Sequence, residues 1–153
     1  MTRRAAGAAG PETAPPPAAP APARAVATRS FPGRPESAAA ARAWTASCLP
    51  GCPVLDDVVL CVSELVTNSV LYSASARPGG VVTVRVEHVP GWALVDVIDQ
   101  GDAPERAGEH GLGAGWPLVR ELSEACGRDG GRAWFVVTWP ARPALTVIPG
   151  GAQ

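Results

Sequence analysis

Glu64 and Asn68 lie four residues apart in the stretch from Leu55 to Tyr72, whose apolar residues recur with helical period. On a helix, Leu55, Val58, Val59, Val62, Leu65, Val66 and Ser69 form one stripe, and Asp57, Cys61, Glu64, Asn68 and Tyr72 fall on the neighbouring face. A carboxylate and a carboxamide then point the same way. Propensity does not explain them, because Val-Thr-Asn-Ser-Val at 66–70 is a run of weak helix formers. A second cluster with chemical potential follows downstream. Strand-like alternation stops at Asp99-Gln100-Gly101-Asp102, and residues 101–115 then hold five glycines among charged residues. Pro117 fits the first turn of a new helix after that loop. Glycines directly before a helix N-terminus favour anion binding, because backbone N–H groups are free there and no side chain blocks close approach.

The elements that must position these residues are legible from pattern. Arg24 to Phe31 alternates loosely and reads as a first strand, closed by Pro32-Gly33. Ser37 is the expected N-cap of an Ala-rich helix running to about Cys48, which Leu49-Pro50-Gly51-Cys52-Pro53 breaks. The Leu55 to Tyr72 helix follows, then a polar loop from Ser73 to Gly80. Val81 to Val89 alternates cleanly, Pro90-Gly91 turns the chain, and Trp92 to Ile98 completes an antiparallel hairpin. After the glycine loop, Leu118, Val119, Leu122 and Cys126 are expected on one helix face. Gly130-Gly131 then turns the chain into a last strand, Ala133 to Trp139.

Composition narrows the classes. The chain of 153 residues has the size of one domain, and its net charge of -1 is the wrong footprint for a nucleic-acid partner. All thirteen basic residues are Arg. Without a Lys for the nucleotide phosphates, neither a P-loop nor a eukaryotic-type kinase fold is possible. Residues 1–23 are Ala, Pro and Gly with almost no bulky apolar side chain, which predicts a disordered tail; the domain is expected over 24–140, with a flexible tail from 141. No stretch approaches a membrane span or a secretory h-region, so the expected location is cytoplasmic. Cys48, Cys52, Cys61 and Cys126 show no paired ligand spacing with His88 or His110 and are expected to be reduced packing residues.

Three segments in order, Glu64-Leu65-Val66-Thr67-Asn68, Asp99-Gln100-Gly101 and Gly111-Leu112-Gly113-Ala114-Gly115-Trp116-Pro117-Leu118-Val119, resemble the N, G1 and G2 boxes of Bergerat-fold ATPases. Compact size and the closing Gly-Arg-Ala-Trp-Phe look most like the small anti-sigma-factor serine kinases of bacteria. The resemblance implies an α/β two-layer sandwich, with a mixed or antiparallel sheet backed by three helices on one face. It implies ATP and magnesium as cofactors, with Asn68 as the metal ligand and Glu64 as the catalytic base acting on a partner's serine. Asp99 would accept from the adenine amino group, Gly101 would leave room for the base, and Gly111, Gly113 and Gly115 would line the phosphates. The implied partners are a sigma factor and an anti-anti-sigma-type protein, and homodimers are common among such relatives. The five tryptophans, Trp44, Trp92, Trp116, Trp134 and Trp139, are expected to pack in the core and on sheet faces, although Trp116, beside the glycine loop, could touch nucleotide.

The sequence departs from the family pattern at three points. Asp102-Ala103-Pro104 replaces a second G1 glycine, Tyr72 stands where many relatives carry histidine, and Trp116-Pro117 follows Gly115 in place of a Leu-containing step. These departures leave a second reading, a nucleotide-sensing module that has lost phosphotransfer. Taken singly, each feature also has a plainer meaning: a solvated helix flank for Glu64 and Asn68, and a turn residue for Asp99.

Overall fold

The computed structural model describes residues 15–17, 24–103 and 115–141. Its strands are β1 (Ala25–Pro32), β2 (Val81–Val89), β3 (Trp92–Ile98), β4 (Ala125–Asp129) and β5 (Arg132–Thr138), and its helices are α1 (Ser37–Cys48), α2 (Leu55–Tyr72) and α3 (Gly115–Leu122). The strands form one sheet in the order β1-β2-β3-β5-β4, with every neighbouring pair antiparallel. Together with the three helices it is the two-layer α/β sandwich expected. β5 is inserted between β3 and β4, so the hairpin turn at Gly130 comes back beside the end of β3.

The main core lies between helices and sheet. Strand alternation sends Val82, Val84 and Val86 of β2, Ala93, Val95 and Val97 of β3, and Phe135 and Val137 of β5 into one apolar cluster with Val58, Val62, Leu65 and Val66 of α2 and Val119 of α3. The other parity of β3 is buried as well, which accounts for the near-continuous apolar run of that strand. On that second face Val89, Trp92, Leu94, Trp134 and Val136 form a separate cluster. Beside it, Asp96, 1% exposed, pairs with Arg85 at 3.2 Å and with Arg132, while Glu87 pairs with Arg24 at 2.9 Å and Arg85 at 2.6 Å. Two buried carboxylates are thus each held between two guanidiniums, the arrangement that burial of charge requires.

Several expectations are corrected in detail. Cys126 belongs to β4, a strand the periodicity did not reveal, and not to the α3 face. Ser37 is the first helical residue of α1 and not its cap: Glu36 occupies the cap position, and the Ser37 hydroxyl donates to the Pro32 carbonyl at 2.5 Å. The Ser73 to Gly80 loop contains a 3-10 turn, Ala74–Ala76. The four cysteines are free. Cys61 is fully buried, and burial above all, then nearby Asp57, Cys126 and Glu64, pushes its thiol up to about 12, in keeping with a packing residue.

Candidate functional site

Helix α2 carries the site. Its inward stripe is fixed by the valines and leucines that enter the core, and this sets Glu64 and Asn68 half-buried along its flank. Nothing in the helix's own stability asks for them there; the packing of the stripe decides their direction.

Glu64 meets the first turn of α3. Gly115 packs so closely on it that a Cβ at Gly115 would stand 2.8 Å from the Glu64 Cβ and 2.9 Å from its carboxyl carbon. Only glycine allows this approach. The Glu64 carboxylate is thereby set at the N-terminal, electropositive end of a helix whose first N–H groups lack intrahelical partners.

Asp99 is tied to the same helix one residue past Asn68. The Ser69 hydroxyl donates to Asp99 Oδ2 at 2.8 Å, and the Gly101 amide donates to Oδ1 at 2.8 Å. The Asp99 amide itself donates to the Gly131 carbonyl at 2.7 Å. Burial raises the Asp99 carboxyl above its ordinary range, the Gly101 and Ser69 hydrogen bonds pull it back, and nearby Asp102 raises it further.

The turn that follows is clamped from the loop after α2. Ser75, fully buried, donates to the Val81 carbonyl at 2.6 Å and accepts from the Gln100 amide at 3.0 Å. Gln100 Oε1 accepts from the Val81 amide at 2.9 Å, the Ala74 amide donates to the Gly101 carbonyl at 2.8 Å, and Ser73 bridges Asp102. Gly101 adopts φ +83°, and among the described residues other than its chain neighbours no atom lies within 4 Å of where its Cβ would stand. A rigidly held carboxylate therefore borders open space at a bare backbone turn, which suits a planar base carrying an exocyclic amino group.

The structure thus brings Glu64 against Gly115, and Asp99 with Gly101 against α2, while Asn68 lies on α2 between the two contacts. Gly111 and Gly113 lie outside the described residues. Trp116 takes the core position expected of the tryptophans and not the alternative at the nucleotide: it is 2% exposed and packed in the main core, with the Arg128 guanidinium 4.5 Å above its ring. A large apolar ring at the start of α3 gains more from the core than from the site rim.

Four positioning residues went unread in the sequence. Ser69 falls on the apolar stripe, where a hydroxyl among valines and leucines is itself the sign of a buried partner. Ser75 and Gln100 carried no periodic signal. By sequence Gly131 is a turn residue only, yet a Cβ there would come within 2.6 Å of the Asp99 carbonyl oxygen and 3.0 Å of Oδ1.

The sequence profile of the histidine kinase-like ATPase domain matches residues 31–139, which is most of the chain. The chain belongs to the histidine kinase-like ATPase family. No curated protein matches it. For this ATPase domain the implied ligand is ATP, and the Asp99 carboxylate beside the Gly101 turn has the chemistry to accept from an amino-bearing base. No helix among the described residues is long and apolar enough to cross a membrane.

Proposed function

We propose that this ATPase domain is a protein serine/threonine kinase of anti-sigma type, with an anti-anti-sigma-type protein as phosphoacceptor and a sigma factor as the partner it sequesters. The observation that supports this most is Glu64 against Gly115: a carboxylate held where the glycine loop enters α3, beside the position expected for the phosphates. ATP bound there supplies the phosphoryl group. Glu64 would accept the proton of a partner's serine hydroxyl as that oxygen bonds to the γ-phosphorus and the bond from phosphorus to the β–γ bridging oxygen breaks, with ADP as the leaving group. Asn68 offers its amide oxygen to magnesium. Magnesium held there by one protein oxygen would take its other ligands from phosphate and water, as it commonly does. Asp99 holds the adenine amino group and Gly101 leaves the ring room.

Calorimetric titration with ATP, with and without magnesium, tests the binding half. Magnesium-dependent binding that Asn68→Ala abolishes is expected; equal affinity in that variant removes the metal role. Glu64→Ala is expected to bind ATP normally and to lose transfer by roughly a hundredfold or more, as removal of a general base does. The second reading, a nucleotide sensor without transfer, draws on Ala103, which is 3% exposed and fills the segment where the G1 box usually has its second glycine. Normal ATP binding with no transfer to any serine partner would favour it.

A further inference from the structure

All three helices pack on one side of the sheet, yet the opposite side is not bare. Trp92 is 8% exposed, Trp134 5%, Leu94 4% and Val136 2%, although no described helix or strand lies over them. Trp134 is flanked across the strands by Asp96 and by Gly127, which has no side chain to cover an indole. Neighbours within one sheet layer do not bury large aromatic rings to this degree.

The start of β1 lies at the same end of the sheet. Ala25 pairs with His88, so the chain enters beside Val89, which pairs with Trp92. Arg24 reaches over this helix-free side to bond Glu87 at 2.9 Å. Upstream, Pro15–Pro17 are described, and Pro16 is half-buried between two exposed prolines. Consecutive prolines favour the polyproline II helix with three residues per turn, in which one residue of three faces a supporting surface. The exposure pattern is the one such a helix shows when laid on a surface.

We propose that the helix-free face is a receptor for a proline-rich segment, and that Pro15–Pro17 of this chain occupy it across Trp92 and Trp134. The reach suffices. Six residues join Pro17 to Arg24, and seven steps at polyproline rise span about 22 Å, whereas β1 and β5 are three strand spacings, about 14 Å, apart. Aromatic-lined surfaces recognise polyproline because its backbone is already extended and its rings stack on flat indoles at little entropic cost. Pro15–Pro17 are then docked, within a stretch whose composition predicts disorder, and a partner or second copy that used this face would have to displace them.

The test reads the indole N–H signals of the full chain by NMR, each assigned by a single Trp→Phe variant, against a soluble paramagnetic agent. In the wild type, Trp92 and Trp134 are expected to be shielded. Combined Pro15→Gly, Pro16→Gly and Pro17→Gly keeps the leader's length and should strip shielding from these two indoles while Trp44 and Trp116 stay unchanged. A peptide of residues 11–23 added to that variant should restore it. Unchanged shielding in the variant overturns the proposal. Shielding lost only when residues 142–153 are removed assigns the face to the other terminus, and shielding lost on dilution of the wild type assigns it to a second copy; either also overturns it. None of these outcomes depends on nucleotide binding.

Discussion

Ser69 and Asp99 meet across 30 residues of sequence, the hydroxyl of one donating to the carboxylate of the other at 2.8 Å. This bond joins the helix that carries Glu64 and Asn68 to the strand end that carries the expected adenine contact. Ser69→Ala leaves one oxygen of a half-buried carboxylate without its donor, at a cost of about 1–2 kcal/mol in stability. Denaturant unfolding should show that loss, and ATP affinity should fall further than Ser69→Cys or another small change elsewhere on α2 would make it fall.

Asp99 also sets a pH dependence. Burial raises its folded-state pKa above the ordinary 3.8, so the folded chain holds this proton more tightly than the unfolded chain. Its stability contribution is present below the unfolded value and is lost as pH rises through the raised folded value. Nucleotide binding runs the other way, because only the ionised carboxylate accepts fully from an amino group. ATP affinity should therefore decline on acidification at a pH above the ordinary carboxylate range, and Asp99→Asn should flatten that decline while weakening binding. Titrations across mildly acidic pH, with wild type and variant side by side, decide it.

Where side-chain period dictated an element, its ends could be read from the sequence: α2, β2 and β3 run over the stretches that alternation or helical period marked. β4 escaped because Ala-Cys-Gly-Arg-Asp has neither β-branched residues nor alternation, and only pairing with β5 makes it a strand. The same division holds at the site. Glu64, Asn68 and Asp99 stood out as polar groups where pattern did not want them, whereas Gly131 and Ser75 owe their roles to chain segments distant in sequence, which local pattern does not encode.

Gly115→Ala should separate binding from transfer. The added methyl would lie 2.8 Å from the Glu64 Cβ, close to the backbone where a rotamer change relieves little, so Glu64 or the first turn of α3 must move. A stability loss of about 1–3 kcal/mol is expected for such overpacking. If Glu64 is the base, transfer should fall by more than tenfold even under conditions where ATP still saturates the variant. Single-turnover phosphorylation of the partner at saturating ATP measures this directly.

Gly101→Ala probes the opposite kind of glycine. Its φ of +83° is strained for alanine, at about 1 kcal/mol, but among the described residues other than its chain neighbours nothing stands within 4 Å of the new methyl. The methyl instead enters the open space assigned to the base. Nucleotide affinity should consequently drop well beyond the small change in unfolding free energy, and a drop no larger than that change would show that the base lies elsewhere.

Gly130 and Gly131 give a matched pair in the hairpin between β4 and β5. Gly130 has φ +55° and, among the described residues other than its chain neighbours, no atom within 4 Å of its missing Cβ, so Gly130→Ala should cost only about 1 kcal/mol of backbone strain. At Gly131 a Cβ would stand 2.6 Å from the Asp99 carbonyl oxygen and 3.0 Å from the Gly101 amide, both on the turn that presents the carboxylate. The hairpin and that turn must then part, and the bond from the Asp99 amide to the Gly131 carbonyl, 2.7 Å long, is the first to be lost. Gly131→Ala should therefore cost more stability than Gly130→Ala and weaken ATP binding, although neither glycine is expected to touch ATP. Equal effects of the two substitutions on ATP affinity would mean that the hairpin does not hold Asp99 in place.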